Sequence, residues 1–219
     1  MGLAQHIDHT FLRADATESD IIKLCKEAKK YGFASVCVNP CWVQTCSDEL
    51  FESGIGICTV IGFPLGASCS HIKEKEAEGA LIDGATEIDM VINIGMLKSL
   101  PSVVLSEIRL VREHTRGEIL KVIIETCLLT NAEKKLACEL AKEARADFVK
   151  TSTGFSTGGA TIHDVKLMRK TVGDVMGVKA SGGIKDLKTA MAMIKAGANR
   201  LGCSAGVKIM KELEIEIDS

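Results

Sequence analysis

Short apolar runs alternate with longer amphipathic stretches along the whole chain. Stretches such as SDIIKLCKEAKKYG, TNAEKKLACELAKEAR and DLKTAMAMIKAG carry apolar residues at three-to-four spacing, which is typical of helices. Strict alternation of strand and helix predicts a parallel sheet, and eight repeats predict a single-domain (β/α)8 barrel of the α/β class over residues 1–219. The eight candidate strands are IDHTFL, ASVCVN, GICTVIGF, EIDMVINI, LKVIIET, DFVKTST, GVKASGG and RLGCSAG.

Capping residues mark the ends of several predicted helices. Thr17 precedes a helix with Asp20 in its first turn, and either Thr130 or Asn131 is placed to cap another. Glycine just past a helix end is a common stop signal. Three glycines occupy such positions: Gly32, Gly84 and Gly197.

Composition narrows the class of protein without identifying it. The 219 residues are 46% hydrophobic and 26% charged, as in a folded globular protein, and the net charge is -2. Lysine and arginine are dispersed, so we expect no nucleic-acid partner and no membrane-surface partner. No apolar run approaches the roughly 18 residues of a membrane helix, and the start MGLAQHIDHT has no signal-like segment. The sequence therefore predicts a cytoplasmic location.

The nine cysteines are scattered through apolar segments, are odd in number and include no CxxC pair. Buried reduced thiols are the simplest explanation. The closest grouping, Cys37, Cys41 and Cys46, lacks the spacing and the histidine partners of a zinc site. We expect no metal.

The period of two in the predicted strands turns polar residues toward the barrel interior. In EIDMVIN, Ile88, Met90 and Ile92 form one apolar face, and Asp89 lies on the opposite face with Glu87. Polar groups inside a parallel barrel are costly unless function requires them. The same sorting turns the following residues inward: Asp8, Thr10, Ser35, Cys37, Lys121, Glu125, Lys150 and Lys179.

Confined lysines suggest imine chemistry. A lysine that loses hydration and lies near other cations has a lowered pKa, and the free amine condenses with a carbonyl carbon. The strand pattern leaves Lys150 and Lys179 interchangeable, one as the nucleophile and the other as its cationic neighbour. The structural alternative is a buried lysine–carboxylate pair that only holds the barrel together.

Three loops after late strands are rich in glycine and hydroxyl residues: TSTGFSTGG (151–159), SGGIKD (181–186) and GCSAG (202–206). Such loops bring backbone N–H groups close to an anion, and barrels often hold phosphate in the loops after strands seven and eight. GCSAG also fits the GxSxG pattern of serine hydrolases. That fold needs a histidine after the serine, yet all five histidines precede Ser204, so Ser204 fits a phosphate ligand better.

These motifs, taken in order from IDHTFL to GCSAG, resemble the deoxyribose-phosphate aldolase family. The residues that carry the resemblance are EIDMVIN, KVIIET, DFVKTSTGF, GVKASGGI and RLGCSAG. The resemblance implies a (β/α)8 barrel and a class I aldolase without metal or other cofactor. It also implies a small phosphorylated sugar as substrate, with 2-deoxyribose 5-phosphate interconverted with glyceraldehyde 3-phosphate and acetaldehyde.

The resemblance also assigns roles. It makes Lys150 the Schiff-base residue, Lys179 the neighbour that keeps Lys150 as a free amine, and Asp89 the group that moves protons with a water. It implies further positions lining the site, namely Thr10, Asp8, Cys37, Lys121 and Thr153, and phosphate ligands at Gly154, Gly182, Gly183, Gly202 and Ser204. The chain departs from some members in having Phe155 for a lysine, Lys185 for an arginine, and a tail, ELEIEIDS, without a terminal tyrosine.

Two other readings stay open. One is a different phosphosugar barrel enzyme, either another Schiff-base aldolase or an isomerase with Asp89 as the base. The other is a phosphosugar-binding protein without catalysis. An isomerase does not require two strand lysines, and a binding protein does not need Lys150, Lys179 and Asp89 together. Barrels of this kind often pair through outer helices, which suggests a homodimer.

Overall fold

The computed structural model of the protein describes residues 2–217. Eight parallel strands close into a barrel in chain order, each paired with its neighbours and β8 with β1. The predicted (β/α)8 fold and all eight predicted strands are confirmed. The strands are β1 (Ile7–Phe11), β2 (Ser35–Val38), β3 (Gly56–Ile61), β4 (Glu87–Val91), β5 (Ile119–Ile123), β6 (Phe148–Lys150), β7 (Gly177–Ser181) and β8 (Arg200–Cys203).

Helices follow the strands and surround the barrel. They are α1 (Glu18–Tyr31), α2 (Val43–Glu49), α3 (Ser70–Ile82), α4 (Ile94–Ser99), α5 (Pro101–His114), α6 (Asn131–Glu143), α7 (Ile162–Val172), α8 (Leu187–Lys195) and α9 (Gly206–Ile217). Short 3-10 turns cover Leu3–His6, Pro40–Trp42 and Thr126–Leu128. The last two residues of the tail ELEIEIDS lie outside the described residues. Between residues 2 and 217, no helix is both long and apolar enough to cross a membrane.

The predicted caps agree with the observed helix ends. Thr17 and Asp20 form a capping box at the start of α1, and Thr130 rather than Asn131 caps α6, in a box with Glu133. Gly32 ends α1 in the left-handed conformation, with φ of 67°. These local contacts determine where α1 and α6 begin and where α1 ends.

The apolar core lies between the barrel and the helices. The outward faces of the strands supply fully buried side chains such as Ile88, Met90 and Val149. The inward faces carry the charged residues, as the period of two predicts. The strand register brings Asp89 beside Lys121 and Lys150 beside Lys179. The closed barrel therefore concentrates its polar groups in one interior.

Candidate active site

Asp89 lies at the centre of the barrel interior and binds three lysines. Its Oδ2 accepts hydrogen bonds from Lys150 Nζ at 2.8 Å and from Lys179 Nζ at 2.7 Å. Its Oδ1 accepts a bond from Lys121 Nζ at 2.9 Å. All four residues are at most 2% exposed. The two candidate nucleophiles thus share a single carboxylate oxygen.

The interior cluster is not balanced in charge. It contains four cationic side chains, Lys121, Lys150, Lys179 and Arg200, and three carboxylates, Asp8, Glu87 and Asp89. Arg200 bridges two of the carboxylates, at 2.6 Å to Asp8 and 2.7 Å to Glu87. Burial makes an unpaired charge costly. One cation therefore lacks a matching carboxylate.

Lys179 is a cation held by two buried carboxylates. Burial alone lowers the pKa of Lys179, but the carboxylates of Asp8 at 2.6 Å and Asp89 outweigh burial and raise that pKa above its ordinary value. The pKa of Lys121 is also raised, because Asp89 and Glu87 outweigh its burial. The expectation that confinement lowers a lysine pKa is therefore wrong for these two residues. Lys179 is a permanent cation at neutral pH.

Lys150 differs from its neighbours in two respects. Within residues 2–217, Lys150 pairs with one carboxylate, whereas Lys121 pairs with three and Lys179 with two. It is also the one lysine of the cluster that lines a cavity at the carboxyl ends of the strands, described below. Because a nucleophile must reach its substrate, the geometry separates Lys150 from Lys179 where the strand pattern alone did not.

A cavity of about 380 Å³ opens above Lys150 at the carboxyl ends of β1, β6, β7 and β8. Among the described residues that line it, Arg13, Lys150 and Lys185 carry charge and no carboxylate does. The cavity is therefore suited to an anion. Eight of the predicted site residues line it: Thr10, Lys150, Thr153, Gly154, Gly182, Gly183, Gly202 and Ser204.

Two glycine-rich loops form one wall of this cavity. Gly182 and Gly183 have φ of 84° and 82°, a conformation that side chains with Cβ rarely adopt. A Cβ on Gly202 would lie 3.0 Å from Lys179 Cε and 3.0 Å from Ser181 Cβ, so a larger residue there would crowd both side chains. Ser204 lies two residues before the start of α9 and lines the cavity. The glycine backbone and Ser204 thus border the same space.

Three other predicted positions lie below the cavity and do not line it. Asp8, Cys37 and Lys121 are all 0% exposed. Cys37 pairs with Cys58 in the β2–β3 register. The neighbouring Cys58 thiol and the charge of Lys179 lower the pKa of Cys37 to about 7 against the effect of burial. Asp8 contacts Lys179, and Lys121 contacts Asp89, so both lie next to other predicted site residues.

Several site residues were not predicted. Cys58 donates to Asp89 Oδ1 at 3.1 Å, Arg200 neutralises two carboxylates, and the Phe63 ring meets the Phe155 ring edge-on at 5.2 Å between centroids beside the cavity. Glu87 shares the inward face of Asp89, so the period of two already pointed to it. Arg200 lies two positions before Gly202 in strand β8, so the period of two also turns it inward.

The sulfur atoms of Cys37 and Cys58 and a carboxylate oxygen of Asp89 lie within 4.8 Å of one another, which is close enough to bind a metal ion. Lys121, Lys150 and Lys179 already surround that carboxylate. A divalent cation there would face three ammonium groups, so electrostatics disfavour it. The nine cysteines are all free thiols.

The fold and the site define a (β/α)8-barrel enzyme of the lysine-dependent aldolase class. The sequence profile described as DeoC/LacD family aldolase matches residues 3–212. The chain belongs to this aldolase family.

Relatives and solved structures agree with this family. Deoxyribose-phosphate aldolase 1 of Bacillus licheniformis is 59% identical over 218 residues, covering 99% of this chain and 98% of the relative. Deoxyribose-phosphate aldolase of Lactococcus lactis subsp. lactis is 59% identical, covering 97% of each. The structure of the tetrameric deoxyribose phosphate aldolase from Aeropyrum pernix superposes with a TM-score of 0.92 at 35% identity, covering 97% of this chain and 91% of that one.

Proposed function

We propose that the protein is a class I aldolase that cleaves 2-deoxyribose 5-phosphate reversibly to glyceraldehyde 3-phosphate and acetaldehyde. The observation that carries the proposal is the position of Lys150, the one lysine of the interior cluster in the wall of a cationic cavity. Family membership and relatives of the same activity at 59% identity support the reaction.

The first steps form the imine. The free amine of Lys150 adds to C1 of the open-chain sugar, and the carbinolamine loses water to give a protonated Schiff base. Asp89 accepts hydrogen bonds from both Lys150 and Lys179. In the proposed step, Asp89 passes protons between the Lys150 nitrogen and a water while Lys179 keeps its proton. Lys179 stays positively charged beside the Lys150 nitrogen.

Carbon–carbon cleavage follows from the imine. The proton of the C3 hydroxyl leaves, C3 becomes the aldehyde of glyceraldehyde 3-phosphate, and the C2–C3 electron pair moves toward the iminium nitrogen to give an enamine. Protonation at C2 and hydrolysis then release acetaldehyde and restore Lys150. The positive nitrogen takes up the electron pair, so Lys150 supplies the electron sink.

The phosphate is proposed to bind at the wall formed by Gly182, Gly183, Gly202 and Ser204. Backbone N–H groups and the start of α9 favour an anion there, and the exposed side chain of Lys185 lines the same cavity. Gly154, on the loop after β6, lines the same cavity and lies next to Gly182. A cytoplasmic location and a homodimer stay predictions from the sequence.

Steady-state kinetics test the proposed reaction. Incubation with 2-deoxyribose 5-phosphate should release acetaldehyde and glyceraldehyde 3-phosphate in equal amounts, and Lys150→Met should release neither. Lys166→Met, at an exposed position on α7, is the matched control and should keep wild-type activity. A wild-type protein that isomerises the phosphosugar without a two-carbon product would overturn the proposal, as would full activity in Lys150→Met.

A further inference from the structure

Among the described residues, Glu125 is a buried carboxylate without a cationic partner. It is the second residue after the end of strand β5, on the inward face, and is 3% exposed. Within residues 2–217, the other buried carboxylates all form ion pairs with lysine or arginine: Asp8, Glu87, Asp89, Glu107 and Asp164. Glu125 makes no such pair. A buried carboxylate needs other strong donors to remain stable.

Those donors come from Thr153. The backbone N–H of Thr153 lies 3.2 and 3.4 Å from the two carboxylate oxygens of Glu125, and the Thr153 hydroxyl donates to Oε2 at 2.5 Å. Glu125 reaches this position in the left-handed conformation, with φ of 51°, which a residue other than glycine adopts only when its surroundings hold it there.

The backbone on both sides of Glu125 donates hydrogen bonds to the end of strand β6 and the segment that follows it. Ile124 N donates to Lys150 O at 3.0 Å, and Thr126 N donates to Thr151 O at 2.9 Å. Three consecutive residues, 124–126, therefore hold the segment that begins at the proposed nucleophile Lys150. Thr153 has a fixed place in the cavity wall as a consequence.

The contacts also fix which way the Thr153 hydroxyl points. A threonine hydroxyl has one hydrogen and two lone pairs. The hydrogen goes to Glu125, and Phe155 N donates to Thr153 Oγ1 at 3.1 Å, which uses one lone pair. Toward the cavity, the hydroxyl therefore offers only a lone pair. It can accept a hydrogen bond from a ligand but has no hydrogen left to donate.

We propose that Glu125 is a positioning residue that makes Thr153 a hydrogen-bond acceptor for a substrate hydroxyl. The inference rests on the proposed aldolase function and adds a rule of selectivity to it. Acceptor aldehydes with a hydroxyl beside the carbonyl, as in glyceraldehyde 3-phosphate, donate a hydrogen bond from that hydroxyl to Thr153 Oγ1. An aldehyde without that hydroxyl leaves the buried Thr153 lone pair unpaired, and unpaired polar groups are costly.

The test compares two acceptors in the synthetic direction with acetaldehyde as donor. The readout is the ratio of kcat/KM for glyceraldehyde 3-phosphate to kcat/KM for 3-oxopropyl phosphate, which lacks the hydroxyl. In Glu125→Gln the amide group donates to Thr153 Oγ1, so the hydroxyl hydrogen turns toward the cavity. We expect the ratio to fall by about 10- to 100-fold, with activity on 3-oxopropyl phosphate changed less than about 3-fold.

Two Thr153 variants make the result independent of how well Glu125→Gln folds. Thr153→Val removes the acceptor and should lower the ratio to the same level, while Thr153→Ser keeps the hydroxyl and should preserve it. Adding Glu125→Gln to Thr153→Val should cause no further loss, since both act through one hydrogen bond. Glu107→Gln, at a carboxylate of equal 3% exposure outside the barrel, should leave the ratio unchanged.

The two proposals fail in different ways. If the wild type joins acetaldehyde to both acceptors and neither Glu125→Gln nor Thr153→Val alters the ratio, the role of Glu125 is wrong while the aldolase function stands. If the wild type joins acetaldehyde to neither acceptor, the aldolase function itself is wrong.

Discussion

Two buried ion networks in this molecule have similar exposure but differ in charge balance and in access to a cavity. The pair of Lys73 and Glu107, between α3 and α5, is 0% and 3% exposed and joined at 2.8 Å. Lys73 also donates to Gly66 O and Val91 O, each at 2.8 Å, so one charge of each sign is fully satisfied. The interior cluster around Asp89 has an extra cation and reaches a cavity. Charge balance and access therefore separate the structural network from the chemical one.

The pKa directions in the two networks run against a common expectation. Burial lowers the pKa of Lys73, in the structural pair, even though Glu107 opposes the shift. The pKa of Lys179, beside the proposed nucleophile, is raised because two carboxylates outweigh its burial. A lowered lysine pKa is thus not in itself a mark of a nucleophile in this protein.

Apart from Lys150 itself, the largest effect on activity is expected from substitution of Lys179. Lys179→Met removes the fixed cation beside Lys150 and leaves Asp8 and Asp89 with fewer partners. We expect kcat for cleavage of 2-deoxyribose 5-phosphate to fall by about 10²- to 10³-fold, the scale of a lost charged group that stabilises the transition state. Steady-state kinetics measure this, with Lys166→Met as the control. A loss below about 10-fold would mean that Lys179 only holds the barrel together.

The structural pair should respond in stability and not in rate. Lys73→Met leaves Glu107 buried without a partner, so the free energy of unfolding should fall by about 3–5 kcal/mol in urea. The kcat should stay within about 3-fold, because Lys73 does not contact the cavity. Lys73→Met combined with Glu107→Leu should recover most of the stability. Loss of activity in a folded Lys73→Met protein would contradict the division between the two networks.

Acid should weaken the interior cluster. Despite their burial, nearby cations lower the pKa of Asp8 and of Asp89. Since these folded-state values lie below the unfolded value of about 3.9, their stabilisation is complete above about pH 4 and is lost as the pH falls further. Unfolding free energies from pH 6 to pH 3 should decline by at least about 1 kcal/mol more in the wild type than in Asp89→Asn. Equal slopes would count against the coupling.

The smallest effect is expected at the rim of the cavity. Lys185 is exposed and forms no ion pair among the described residues, so Lys185→Gln should raise KM for the phosphorylated substrate about 3- to 5-fold, as for an exposed charge. Arg13→Gln is the matched comparison, because its guanidinium is already held by Asp15 at 2.8 and 2.6 Å. We expect a smaller rise there. An equal or larger rise for Arg13 would show that it leaves Asp15 to bind the phosphate.

The sequence predicted the barrel and most of its interior for a simple reason. Alternation with a period of two decides which face a strand residue occupies, and a closed parallel barrel sends all inward faces to one place. Asp89, Lys121, Lys150 and Lys179 could therefore be grouped without coordinates. The helix ends were legible because capping contacts, such as that of Thr17 with Asp20, are local.

What the sequence could not supply depends on distance and register between strands. Lys150 and Lys179 are partners in adjacent strands, and only the count of carboxylates around each, with the position of the cavity, tells them apart. Arg200 comes from the far end of the chain and balances Asp8. The hydrogen bond that Thr153 donates to Glu125 joins two loops, so no periodic pattern in the sequence predicts it.

Borohydride trapping tests whether Lys150 forms the imine. Reduction in the presence of acetaldehyde should convert the imine to a stable secondary amine and add one ethyl group to the protein, and peptide mapping by mass spectrometry should locate it on Lys150. Lys150→Met should take up none. An adduct on Lys179, or no adduct in a protein that still cleaves 2-deoxyribose 5-phosphate, would contradict the assignment of Lys150 as the covalent residue.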